Sequence, residues 1–185
     1  MKQEELANGP RTPRDQFEVF WILRYHCTRR PMHPSLAVLI MDIAEYWLRV
    51  EAKRSDSVTV DAKQSPNGMF YVMTEPLPGR VNAPVQAFTF ATLSHDQGWS
   101  SFPHFHGSYD GSWTWFDVVI EGKDGVTAHL EGDEACLCRN VHASLNPKEH
   151  RVTFGQGPGR RSREWTKKIH RGSRVGILAQ ARFPG

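Results

Sequence analysis

From Ser57 onward the apolar residues recur at every second position in short runs, and this change of period commits the body of the chain to strands. The runs are Ser57–Asp61, Met69–Thr74, Val85–Leu93, Ser112–Glu121, Val126–Leu130, Ala135–His142, His150–Phe154 and Arg174–Ala181. Turn-forming pieces separate them, among them Ser65-Pro66-Asn67-Gly68, Pro76-Leu77-Pro78-Gly79 and Gly155-Gln156-Gly157-Pro158-Gly159. Short strands at near-regular spacing with no helices between them predict a mainly β fold. The expected architecture is an antiparallel β-sandwich, jelly-roll or galactose-binding-like, or a barrel, preceded by two α-helices.

Ahead of that body the period is helical. Residues 1–11 read as a disordered lead, 12–56 as a helical segment packed on the body, and 57–185 as the sandwich domain. Thr12-Pro13-Arg14-Asp15 opens the first helix, with a hydroxyl at the cap, proline in the first turn and an acid three residues on. Phe17, Phe20, Trp21 and Arg24 follow at helical spacing, and Arg29-Arg30-Pro31 predicts its end. A second helix is predicted from Pro34 through Arg54, with Leu36, Leu39, Ile40, Ile43, Trp47 and Leu48 on one face. That face is too apolar to stay in water, so it covers a sheet or binds a partner. Pro34-Ser35-Leu36 with Ile40 and Ile43 also resembles an F-box helix, which implies an adaptor role.

Chemistry-bearing residues concentrate between Ser94 and Glu121, which holds three of the six tryptophans together with three histidines and three aspartates. Asp96 and His106 are the candidate acid–base pair, because a carboxylate and an imidazole can exchange protons near neutral pH. Gln97, His104 and Tyr109 can orient a carbonyl or hydroxyl. Trp99, Trp113 and Trp115 supply flat apolar walls with N–H donors. Trp113 and Trp115 lie two apart on a predicted strand and share one face, which is either a second core layer or a ligand platform. Thr114, Phe116, Val118 and Ile120 form the opposite, core face.

Gly98, His104-Phe105-His106 and Asp110 partly resemble the first metal motif of cupins. The following glycine spacing and a second histidine motif are missing, so no metal is expected there. Cys136-x-Cys138 with His142 reads as small core residues rather than a zinc site. No P-loop, dinucleotide fingerprint or Gly-x-Ser-x-Gly elbow occurs, so no cofactor is expected. The formal charge of +3 is too small to argue for nucleic acid, and Arg160, Arg161, Arg163, Lys167, Lys168 and Arg171 read as a solvated loop. Three cysteines, the polar start and the lack of a long apolar run point to a soluble cytoplasmic protein without membrane contact. Homodimerisation stays open.

The pieces Ala44-Glu45-Tyr46-Trp47, Ser94-His95-Asp96-Gln97-Gly98-Trp99, Gly107-Ser108-Tyr109, Gly111-Ser112-Trp113-Thr114-Trp115-Phe116, Asn140-Val141-His142-Ala143-Ser144 and Ala179-Gln180-Ala181-Arg182-Phe183-Pro184-Gly185 occur in this order. Over 34–185 the chain resembles a group of largely uncharacterised fungal proteins. In that group His106-Gly107 fits the motif better than His104, and the family continues past Gly185 with a tryptophan and another strand. The resemblance implies a source and an architecture, not a mechanism.

Together these features predict a small cofactor-independent enzyme of the isomerase, cyclase or dehydratase (lyase) type. It would act on an apolar small molecule of fungal secondary metabolism in an aromatic-lined pocket. The alternatives are a non-catalytic ligand- or carbohydrate-binding sandwich module and the F-box-like adaptor.

Overall fold

A computed structural model of the chain describes residues 12–78, 85–125, 127–128, 130, 132–155, 160–161 and 164–183. The lead 1–11, the turn residues Gly79, Gln156, Gly157, Pro158 and Gly159, Val126 and His129 of one predicted strand, Arg163, and Pro184-Gly185 lie outside the described residues. The chain divides into two compact units. One runs to Glu51 and includes Leu77 and Pro78; the other holds Ala52–Pro76 and the described residues from Val85 onward.

In the first unit, helix α1 spans Pro13–Tyr25 and helix α2 spans Pro34–Ile43. The capping box forms as its residues predict: Thr12 Oγ1 accepts from the Asp15 N–H, and Asp15 accepts from the Thr12 N–H at 2.7 Å. Such a cap contributes about 1 kcal/mol. Both helices are shorter than their apolar periodicity implies. α2 stops at Ile43 because Glu45 turns into the left-handed region at φ 50°. The Tyr46 N–H then reaches the Met41 carbonyl at 2.8 Å and the Glu45 N–H reaches that of Asp42 at 3.0 Å. This is the Schellman closure, here made without glycine.

Among its described residues the second unit has seven strands: β1 (Met69–Met73), β2 (Ala87–Ser94), β3 (Thr114–Glu121), β4 (Thr127–Ala128), β5 (Cys136–Arg139), β6 (Lys148–Gly155) and β7 (Arg174–Ala181). Among the described residues every pairing between these strands is antiparallel, and a single parallel bridge joins Phe154 to Arg161. One sheet runs β1-β7-β3-β4, with β5 on the same edge of β3 as β4, and the other is the pair β2–β6. The fold is thus mainly β, an open sandwich of two sheets and not a closed barrel. β3 lies at its centre because it is paired along its whole length to β7, from Thr114↔Ala181 to Glu121↔Arg174. Phe116, Val118 and Ile120 alternate onto the buried face, as their spacing predicts. Phe90 of β2 meets Phe116 with ring centroids 5.4 Å apart. Phe154 and Trp165 close one end, with Trp165 set edge-on against Phe88 at 5.6 Å. Each fully buried aromatic contributes roughly 1.5–3 kcal/mol of apolar transfer energy.

Ser57–Asp61 alternates like a strand yet forms none. Asp61 instead opens a turn: its carbonyl accepts from Gln64 and Ser65, and its carboxylate takes the Lys63 N–H at 2.6 Å. A local side-chain acceptor of this kind competes with a strand ladder. No helix among the described residues is long and apolar enough to cross a membrane.

Candidate functional site

The segment between β2 and β3 carries the chain from the two-stranded sheet to the five-stranded one. Its ends are fixed where three strand ends converge. Ser94 Oγ donates to Asn140 Oδ1 at 2.7 Å, Asn140 Nδ2 donates to Thr114 Oγ1 at 3.0 Å, and Thr114 Oγ1 donates to Asp96 Oδ1 at 3.0 Å. The other Asp96 oxygen accepts the Ala143 N–H at 2.9 Å, and Ala143 sits at φ 55°. Asp96 is 2% exposed. Its carboxylate therefore joins β3 to the turn after β5 and holds a non-glycine residue in a conformation that costs roughly 1–2 kcal/mol.

His106 adjoins that same turn through His142. Its Nε2 is 3.1 Å from the Ser100 carbonyl. A carbonyl only accepts, so Nε2 carries the hydrogen and the Nδ1 of a neutral ring carries a lone pair. The backbone locks this loop to the turn in both directions: the Gly107 N–H donates to the His142 carbonyl at 3.0 Å, and the His142 N–H donates to that of Ser108 at 2.8 Å. The two imidazoles have centroids 5.8 Å apart and planes inclined by 36°.

His142, read from the sequence only beside Cys136 and Cys138, stands next to His106. It is fully buried, and neither ring nitrogen has a hydrogen-bond partner among the described residues. Around it stand Phe105 at 6.1 Å and Trp113 at 5.5 Å, both edge-to-face. Trp113 in turn meets Phe102 at 5.6 Å and Phe183 at 4.5 Å. Phe102 and Phe183 remain 45% and 43% exposed, so the cluster is an aromatic surface with a buried histidine beneath it. His104 is exposed at its edge, 4.0 Å from the Phe105 ring. Gly111 permits the close packing, since a Cβ there would lie 2.7 Å from Phe105.

The remaining sequence candidates fall into other neighbourhoods. Trp99 is exposed, and the Gln97 amide donates to its carbonyl at 3.0 Å, a contact internal to the loop. Tyr109 lies under the Lys148 ammonium at 4.9 Å and beside buried His150 at 5.9 Å. Trp113 precedes β3, while Trp115 lies within it and donates from Nε1 to Asp117 Oδ2 at 3.0 Å. Gln180 donates to the same oxygen at 3.2 Å, and the Arg139 guanidinium sits 5.9 Å from the Trp115 ring. Asp117 Oδ1 is buried without a partner among the described residues, and burial pushes this carboxyl above its ordinary range despite those donors. His150 is pushed down, first by burial and then by Lys148. Burial raises the Cys138 thiol to about 12, with Cys136 adding to the shift.

The structure thus brings His106, His104 and Trp113 together and adds Phe102, Phe105, His142 and Phe183. Asp96 belongs to the strand-end network through Thr114 and Ala143. No group of three or more His, Cys, Asp or Glu residues among those described is arranged to hold a metal ion. No family model, curated protein or solved structure matches the chain.

Proposed function

We propose that the protein is a ligand-binding β-sandwich module whose loop end holds a flat, partly apolar and hydroxylated small molecule, with carbohydrate the best-fitting class. The observation that supports this reading is the contrast between two sets of side chains. Phe102, Trp113 and Phe183 form a contiguous aromatic surface with two half-exposed members. Asp96, the carboxylate an acid–base enzyme would use, is buried with each oxygen accepting a protein hydrogen bond. An aromatic face stacks on the C–H side of a sugar ring, and the His104 and His106 imidazoles at its rim supply hydroxyl partners.

The test is a titration with neutral oligosaccharides, followed by tryptophan fluorescence and by backbone amide shifts. Saturable changes confined to 99–113, 142–144 and 182–183, abolished in Phe183→Ser with the fold unchanged, are expected. Shifts centred elsewhere, or undiminished in that variant, overturn it.

A second reading is a cofactor-independent isomerase or lyase with His106 as the base. The fixed Nε2–H on Ser100 favours it, because it leaves a lone pair at Nδ1. This reading requires turnover of a bound substrate that His106→Ala removes while binding persists.

A further inference from the structure

The geometry points to a two-coordinate site for a soft monovalent cation, Cu(I), shared between His106 and His142. His142 is fully buried with both nitrogens unpartnered among the described residues, which is costly because neither has replaced its lost water contact with a protein partner. Its ring neighbours Phe105 and Trp113 offer aromatic edges, whereas His106 offers a second imidazole able to share an electron-pair acceptor with it.

Three features make the pair a ligand set rather than a chance contact. The first is spacing. An imidazole centroid stands about 3 Å from a metal that the ring ligates, so two opposed rings sharing one ion lie roughly 6 Å apart. The observed 5.8 Å falls within that span. The second is the partner of the other ring nitrogen. Metal-ligating histidines characteristically donate their second N–H to a carbonyl or carboxylate, which fixes the tautomer and raises ligand basicity. His106 does this on Ser100 at 3.1 Å. The third is anchorage, since the paired backbone bonds between 107–108 and 142 hold the two residues at fixed separation.

The donor set then selects the ion. Zinc in a closed protein site takes four ligands, and no third His, Cys, Asp or Glu joins this pair among the described residues. A closed-shell monovalent ion accepts two imidazole nitrogens without further ligands, and the Phe105 and Trp113 rings stand beside the inner histidine. His106 is exposed and His142 is not, so the ion arrives on the outer ring and is secured by the inner one. His104, the neighbour that the local His-x-His spacing nominates, points toward Phe105 and Phe102 instead.

The experiment titrates the full chain anaerobically with Cu(I) against a chromophoric Cu(I) chelator, with Zn(II) run alongside. The expected result is one Cu(I) per chain, with Zn(II) held at least tenfold more weakly. X-ray absorption of the loaded protein should show a first shell of nitrogen only. His106→Phe and His142→Phe should each weaken binding about a hundredfold, whereas His104→Ala and Cys27→Ser should not. His106→Phe changes an exposed ring, so it remains informative even if His142→Phe unfolds. Sulfur in the first shell, loss of binding in Cys27→Ser, binding undiminished in His106→Phe, or no stoichiometric uptake overturns the assignment.

Discussion

Replacing Asp96 by alanine separates a structural carboxylate from a catalytic one, because the two roles predict opposite outcomes. The side chain is buried and accepts from Thr114 Oγ1 at 3.0 Å and from the Ala143 N–H at 2.9 Å. Hydrogen bonds to a charged group contribute about 1.5–3 kcal/mol each, and removing the acceptor strands two part-buried donors. Asp96→Ala should therefore lose about 3–5 kcal/mol, a large share of the 5–15 kcal/mol typical of a domain. Asp96→Asn keeps one acceptor oxygen and should lose about half as much. Ala143→Gly supplies an internal control. It removes the strain at φ 55°, so in the Asp96→Ala background it should recover about 1 kcal/mol.

The assay is urea unfolding followed by tryptophan fluorescence, in which a stability change moves the midpoint and leaves the slope unaltered. If Asp96→Ala costs less than about 1 kcal/mol, the reasoning is refuted. A variant of unchanged stability that has lost turnover would instead place the carboxylate in chemistry.

Four further outcomes follow from the same geometry. Gly98→Ala should lose about 2–4 kcal/mol, because φ is 88° and the new Cβ would lie 2.2 Å from Leu145 Cγ; adding Leu145→Ala should restore the overlap part alone. His150 is held below its ordinary value of 6.5, so the unfolded chain binds more protons and stability is lost as pH falls from about 6.5 toward the folded value. Urea midpoints for His150→Phe should lack that part of the pH slope, and identical slopes would sink the argument. Asp117 is held above its ordinary value of 3.8, so its contribution is fully present below 3.8 and is lost as pH rises through the folded value. Asp117→Asn should therefore gain on the natural protein with rising pH, and a constant difference between the two would count against the buried-carboxylate account. With a thiol reagent at pH 8, exposed Cys27 should react at once and Cys138, raised to about 12, only on unfolding; rapid native labelling of Cys138 would contradict its burial.

Local interactions were legible in the residues and non-local ones were not. Thr12, Pro13 and Asp15 satisfy one another within a single turn, so the cap can be read without knowing the fold. The two-fold period likewise marks Phe116, Val118 and Ile120 as buried before any partner strand is known. The end of α2 carries no such mark, because the left-handed closing residue is glutamate where glycine is the usual signal. Ser57–Asp61 shows the reverse failure: alternation is present, but Asp61 directs its acceptors into a turn.

The candidate site follows the same division. The sequence places His104 and His106 two apart and Trp113 and Trp115 two apart, and nearness in the chain invites both pairings. Trp113, just ahead of β3, packs on Phe102, His142 and Phe183, whereas Trp115 within β3 lies beside Gln180 and Arg139. The turn after β5 then brings in His142, whose distance along the chain from His106 no spacing rule spans. That turn depends on Ala143 holding a left-handed backbone, and Ala143 is held by Asp96. The aspartate singled out as a proton carrier therefore acts on the candidate site through backbone geometry. Its loss should displace His142 and with it every function of the aromatic end.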